Sequence, residues 1–198
     1  MGQDNVNLAA LIGSRICHDL ISPIGAINNG LELLNMAGAS DGPEMELIAE
    51  SVENASARIR FFRIAYGAAS AQPVGRAEVV SILQDNARGS RLTMAYGPLD
   101  AQPRWAVRMV FLALQCMETA MPYGGRVEVS LTDGTWDVTG HADKFSVDAE
   151  LWDRLQTGAV AALAPAHVQF GLLHYHAKDF GRTVQVAQSD DGPLRMTF

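Results

Sequence analysis

Cysteine is scarce: Cys17 and Cys116 are the only two in 198 residues. Two thiols so far apart cannot form a disulfide framework, and they read as reduced thiols in a reducing compartment. Positive charge is also short. Fifteen Lys and Arg stand against 22 Asp and Glu, giving a net charge of −7 and a pI near 5.1. Binding to a phosphate backbone needs a basic surface, so nucleic acid is excluded as the main partner. No stretch approaches the roughly 18 uninterrupted apolar residues of a membrane span. Met1-Gly2-Gln3-Asp4-Asn5 has neither the basic nor the apolar part of a signal peptide, so a cytoplasmic chain without a membrane is expected. Histidines number five. His174 and His176 are two apart and point to opposite sides of a helix, while His141 and His167 have no acid or cysteine at usable spacing. No metal site is expected.

What is present is an ordinary globular composition, 48% apolar and 19% charged, enough for one medium domain or two small ones. The first third carries a helical period. Projected at about 100° per residue, Ala9, Ile12, Ile16, Leu20, Ile24, Ile27, Leu31 and Leu34 form one face. His18 falls on the other, among Ser14, Arg15, Ser22, Gly25, Asn29 and Glu32. A histidine that merely packs belongs on or beside the apolar stripe. This one faces solvent on a small, polar surface that a macromolecule can reach. The helix is expected over about 5–36, capped by Asp4 or Asn5 and followed by Gly38. Pro23 removes a helical hydrogen bond and predicts a kink just past His18.

Ala37–Pro43 reads as a short turn, and a second helix is expected over about 43–66 with Pro43 in its first turn. Its apolar positions, Met45, Ile48, Val52, Ala55, Ile59, Phe62 and Tyr66, alternate spacings of three and four, a narrow coiled-coil seam. Two long helices joined by a short turn make an antiparallel hairpin that cannot enclose a core alone. A second copy completes a four-helix bundle, so a homodimer is expected. Packing of the hairpin on the rest of its own chain is the competing solution.

Gly67–Gly75 reads as a linker, separating a hairpin domain at 1–70 from a second domain at 76–198. Beyond it, a helix at 77–88, a strand at 91–96 and a long buried helix at 105–120 are expected. A hairpin of strands 126–132 and 135–139 turns at Asp133-Gly134. Helices near 148–157 and 166–180 and strands at 183–187 and 194–198 close the chain. The fold class is α+β: a two-helix hairpin followed by an α/β sandwich with helices mainly on one face of a mixed sheet.

His18-Asp19-Leu20 followed by Ser22-Pro23-Ile24 resembles the phosphoacceptor box of sensor histidine kinases, which sits on the first helix of a dimeric hairpin. Ala120-Met121-Pro122-Tyr123-Gly124-Gly125-Arg126-Val127 resembles the end of a kinase ATP-domain helix and its glycine turn. The nucleotide ligands of that domain are missing. Leu112 and Cys116 stand where asparagines hold Mg²⁺ and nucleotide, and neither offers the hard oxygen that Mg²⁺ requires. Val138-Thr139-Gly140-His141-Ala142 lacks the aspartate of the next box. His167-Val168-Gln169-Phe170-Gly171-Leu172 keeps one glycine of three, and close backbone approach to phosphates needs those glycines.

A kinase-like hairpin joined to a degenerate ATPase-like domain resembles the ChpT-type histidine phosphotransferases of alphaproteobacteria. That resemblance implies a phosphorelay enzyme without autonomous ATP-dependent kinase activity. His18 would receive a phosphoryl group from the receiver aspartate of a CckA-like hybrid kinase and pass it to CtrA-like and CpdR-like response regulators. It implies no cofactor of the chain's own and no ATP binding, with Mg²⁺ carried by the receiver. His18 and Asp19 are the expected catalytic pair, Asp19 orienting the ring or accepting its proton, although adjacent helical residues diverge by about 100°. Arg15, Ser22, Gly25 and Asn29 are the expected partner-binding residues. An active sensor-type kinase and a non-catalytic scaffold for receivers are the alternatives.

Overall fold

Hydrophobic period becomes helix over most of the first 65 residues. The computed structural model describes residues 2–37, 42–67, 70–159, 163–188 and 192–198. Helix α1 spans Gly2–Ala37 and α2 spans Pro43–Ala65. The first helix starts ahead of Asp4 and Asn5, which therefore lie within it rather than capping it. It runs unbroken through Pro23, whose ring is buried. Gly38 and most of the turn lie outside the described residues, as do residues 68–69 of the linker.

The helices pack as an antiparallel pair, and one glycine sets their spacing. A Cβ on Gly30 would lie 2.5 Å from Ile48 Cγ1 and 3.3 Å from the Glu44 carbonyl oxygen. Only a residue without a side chain fits between the helices there.

The second half forms α3 (Arg76–Ala87), β1 (Leu92–Tyr96), α4 (Arg104–Ala120), β2 (Gly125–Thr132), β3 (Thr135–His141), α5 (Ala149–Thr157), a 3₁₀ turn at Pro165–His167, α6 (Val168–Asp179), β4 (Gln185–Gln188) and β5 (Leu194–Thr197). The sheet order is β1-β2-β3-β5-β4. Strands β1 and β2 are parallel, and the other neighbours are antiparallel. The β2–β3 turn has φ of 50° at Asp133 and 77° at Gly134, as a two-residue hairpin with right-handed strand twist requires. The Asp148 carboxylate caps α5, accepting from the Glu150 and Leu151 amides. Strand β4 begins two residues after the expected Thr183, because Val184 is buried and Gln185–Gln188 pair along the sheet edge.

Helix α4 is apolar nearly all round and lies inside the domain. Its core is continuous with the hairpin. Phe61, Phe62, Ile64 and Ala65 of α2 are buried, and the Phe61 ring lies 4.7 Å from that of Phe111. Leu8 joins them, with Leu11, Ile12, Ile16 and Leu20 packed against the same cluster. The half of the hairpin distant from its turn therefore docks on its own chain, and the half nearest the turn does not. Among the described residues, no helix is long and apolar enough to cross a membrane.

Candidate functional site

His18 projects to solvent from the stretch of α1 that docks on the rest of the chain, between Ile16 and Leu20, which pack against the core. Its side chain is 81% exposed, while Asp19 beside it is 10% exposed. The ring and the carboxylate meet despite the helical divergence: His18 Nδ1 lies 3.0 Å from Asp19 Oδ1. The other oxygen, Asp19 Oδ2, accepts from Arg15 Nε at 2.6 Å and has Arg58 Nη1 at 4.0 Å. A carboxylate so placed is held from two sides by cations, and one oxygen remains for the imidazole.

Arg15 is not a loose surface arginine. It is 15% exposed, and a second guanidinium nitrogen, Nη1, donates to the backbone carbonyl of Ala166 in the 3₁₀ turn. Burial disfavours its charge, yet the hydrogen bond and charge of Asp19 hold its pKa above the ordinary arginine value. Nearby, the Tyr66 hydroxyl donates to Gln115 Oε1 at 2.9 Å. Burial pushes that hydroxyl up to about 12, against the pull of Arg15, so it remains a donor at neutral pH. A recess of about 240 Å³ opens beside Asp19, lined by Arg15, Arg58, Arg88, Gln115 and Glu118 among others.

Ser22 and Asn29 are exposed along α1 below His18. Gly25 lies between them, and a Cβ there would meet nothing within 4 Å. Nothing inside the chain accounts for this glycine, in contrast to Gly30. Ser22 also borders a shallow groove with Pro23, Glu50, Ser51, Asn54 and Arg58. The structure thus gathers His18, Asp19 and Arg15 into one bonded chain, and it leaves Ser22, Gly25 and Asn29 as a separate open strip.

Arg58 and the Ala166 carbonyl were not foreseen. Arg58 left a usable signal, since folding α1 back on α2 through a turn near residue 40 puts Asp19 level with roughly residue 61. Ala166 left none, being 151 residues from Arg15.

In the second domain, the positions that would serve a nucleotide lie in the core. Leu112 and Cys116 are fully buried on α4. Gly140 of β3 backs onto sulfur: a Cβ there would lie 2.8 Å from Met121 Sδ and 3.3 Å from Met117 Sδ. Val168, Gln169 and Phe170 are also buried, with Gln169 Nε2 donating to Thr119 Oγ1 at 3.1 Å. These residues do not fit a magnesium nucleotide. His174 and His176 face different elements, Nδ1 of the first 3.0 Å from the Leu155 carbonyl and Nε2 of the second 3.0 Å from that of Trp105. Among the described residues, no cluster of three or more His, Cys, Asp or Glu is placed to hold a metal ion.

The chain thus sets an exposed histidine on a docked hairpin beside an α/β domain whose core is filled. The chain belongs to the histidine phosphotransferase family: residues 76–192 match the family's C-terminal domain. It is 40% identical over 135 residues to the protein phosphotransferase ChpT of Brucella abortus (strain 2308). That match covers 67% of this chain and 64% of the Brucella protein's length. A solved structure described as a bacterial phosphotransferase superposes with a TM-score of 0.80 at 30% identity, covering 97% of this chain and 95% of the other.

Proposed function

We propose that this chain is a histidine phosphotransferase of a bacterial phosphorelay. His18 carries the phosphoryl group between the receiver aspartate of a CckA-like hybrid kinase and those of CtrA-like and CpdR-like response regulators. The observation that carries this reading is the exposed His18 ring with Nδ1 anchored on Asp19 Oδ1. Which nitrogen of an imidazole bears the proton is set by the hydrogen bond of the other. Nδ1–H donated to Asp19 leaves the Nε2 lone pair bare and pointing outward.

In the first transfer, Nε2 attacks the phosphorus of the aspartyl phosphate. The Nε2–P bond forms, the P–O bond to the aspartate breaks, and the carboxylate leaves with that electron pair. The ring becomes a cationic phosphoimidazolium whose Nδ1–H still donates to Asp19, and the carboxylate offsets the new charge. The second transfer reverses these steps on another receiver. Phosphoryl transfer of this kind depends on positioning and charge stabilisation more than on covalent assistance. Mg²⁺ belongs to the receiver's acidic pocket in this scheme, and ATP has no part in it. The buried Leu112, Cys116, Met117 and Met121 support that exclusion.

The acting unit is a homodimer. Met45, Val52 and Ile59 of α2, seven residues apart, are 44%, 46% and 48% exposed. Ile24 and Leu31 of α1, again seven apart, are exposed as well. A heptad stripe left open on a two-helix hairpin is the seam of a four-helix bundle. Ser22, Gly25 and Asn29 form the adjoining strip on which a receiver helix rests, in a cytoplasmic complex.

The test adds a phosphorylated receiver domain and Mg²⁺ to the purified chain. Label is expected on this protein and is expected to vanish in a His18→Gln variant. Label that persists in the variant would overturn the site. Label acquired from ATP by the chain alone would overturn the relay in favour of a kinase.

A further inference from the structure

We propose that the second domain is a clamp on the phosphoacceptor: the Ala166 carbonyl anchors Arg15, Arg15 aligns Asp19, and Asp19 fixes the tautomer of His18. This rests on the relay reading of His18 and gives the nucleotide-free domain a present task in it.

The exposed ring needs such a device. A side chain with 81% of its surface in solvent has little packing to hold it. Its orientation and tautomer depend on the single bond to Asp19 Oδ1. Asp19 is one residue along the helix and reaches the ring only in a particular rotamer. That rotamer is kept by Oδ2, which accepts from Arg15 Nε. Arg15 lies one turn earlier on α1, and two of its nitrogens are used: Nε on Asp19 and Nη1 on Ala166. Arginine suits this post because its planar fork bonds two acceptors in fixed geometry, whereas lysine bears a single ammonium.

The far anchor is in the second domain. Ala166 belongs to the Pro165–His167 turn, whose own bonds are His167 N–H to the Ala164 carbonyl and Val168 N–H to that of Pro165. That turn opens α6, at the position where the resemblance to kinases places a glycine-rich phosphate loop. Here the residues that follow it are buried, and a carbonyl of the turn accepts from the hairpin's arginine. The segment has exchanged a ligand for a side chain of its own hairpin. Any shift of this turn, such as one produced by a docked receiver, is passed through Arg15 and Asp19 to the nitrogen that does the chemistry.

The test uses the full chain labelled with ¹⁵N-histidine, and its first readout needs no receiver. The wild type should show His18 with Nδ1 protonated and Nε2 bare. Arg15→Ala and Arg15→Lys should both give a tautomer mixture, the lysine guarding against simple misfolding because it keeps the charge and stem. Both should raise hydrogen exchange at the His167 and Val168 amides and slow phosphoryl uptake by about tenfold or more, the usual cost of a misplaced reacting group. A wild-type tautomer in both variants would overturn the clamp. Unchanged exchange in the turn would remove the second domain from it. Neither result touches the relay reading, which is tested separately by label from a phosphorylated receiver, its loss in His18→Gln and its absence from ATP alone.

Discussion

Two sets of apolar side chains on α2 meet different surroundings, though both follow a helical period. Phe61, Phe62, Ile64 and Ala65 are buried where α2 packs against α3 and α4. Along another face, from Met45 near the turn through Val52 to Ile59, apolar side chains stand open to solvent. One face of the helix is finished by its own chain, and the other is left open. The core of the second domain is filled: its α4 is buried by apolar contacts on nearly every side. An open apolar stripe argues for a partner, and a filled site argues against a ligand. On the proposed reading, association and chemistry fall to the hairpin and support to the domain behind it.

The largest effect expected from this contrast is on association. Val52→Asp combined with Ile59→Asp leaves the monomer intact, because both side chains are already exposed. In a dimer it buries unpaired charges on both sides of the seam. The dissociation constant should rise about a thousandfold, roughly 4 kcal/mol, by analytical ultracentrifugation. An unchanged association would sink the bundle as the dimer interface. Phe111→Ala in the sealed domain should do the opposite, costing about 3–5 kcal/mol of folding stability without altering association.

Next is an attempt to reopen the filled site. Leu112→Asn restores a polar ligand where the kinase resemblance places one. It also removes buried apolar volume and leaves an amide without partners. A loss of about 3 kcal/mol is expected in denaturant unfolding, with no nucleotide bound by calorimetry. Tight ATP binding by this variant would mean that the cavity is intact and only its ligands are missing.

Much of this contrast was legible before any coordinates. Periodicity placed both helices of the hairpin and the exposed position of His18. Glycine and proline placed the turns, with Asp133-Gly134 as the clearest. Three features were not legible, each for a physical reason. The His18–Asp19 contact depends on rotamers, and backbone angles alone argue that neighbours on a helix diverge. The Arg15–Ala166 bond joins residues far apart in sequence through a backbone carbonyl, which carries no side-chain signal. The role of Gly30 depends on how closely two helices approach, which a helical wheel does not contain.

The smallest test separates the two glycines of α1 and with them the two functions of the hairpin. Gly30→Ala drives a methyl into Ile48 and the Glu44 carbonyl, so it should destabilise by about 1–3 kcal/mol through forced separation of the helices. Gly25→Ala meets nothing, and alanine is the better helix former, so it should stabilise by about 1 kcal/mol. If Gly25 serves folding, that gain comes without cost to activity. If it keeps a surface low for a receiver helix, the more stable variant accepts phosphoryl groups more slowly, with the His18 tautomer unchanged. A stabilised Gly25→Ala protein with undiminished uptake would move the docking surface off this strip, leaving the bonded chain of Arg15, Asp19 and His18 untouched. A stabilised protein with slowed uptake would show that this helix gives up stability at Gly25 to admit its partner.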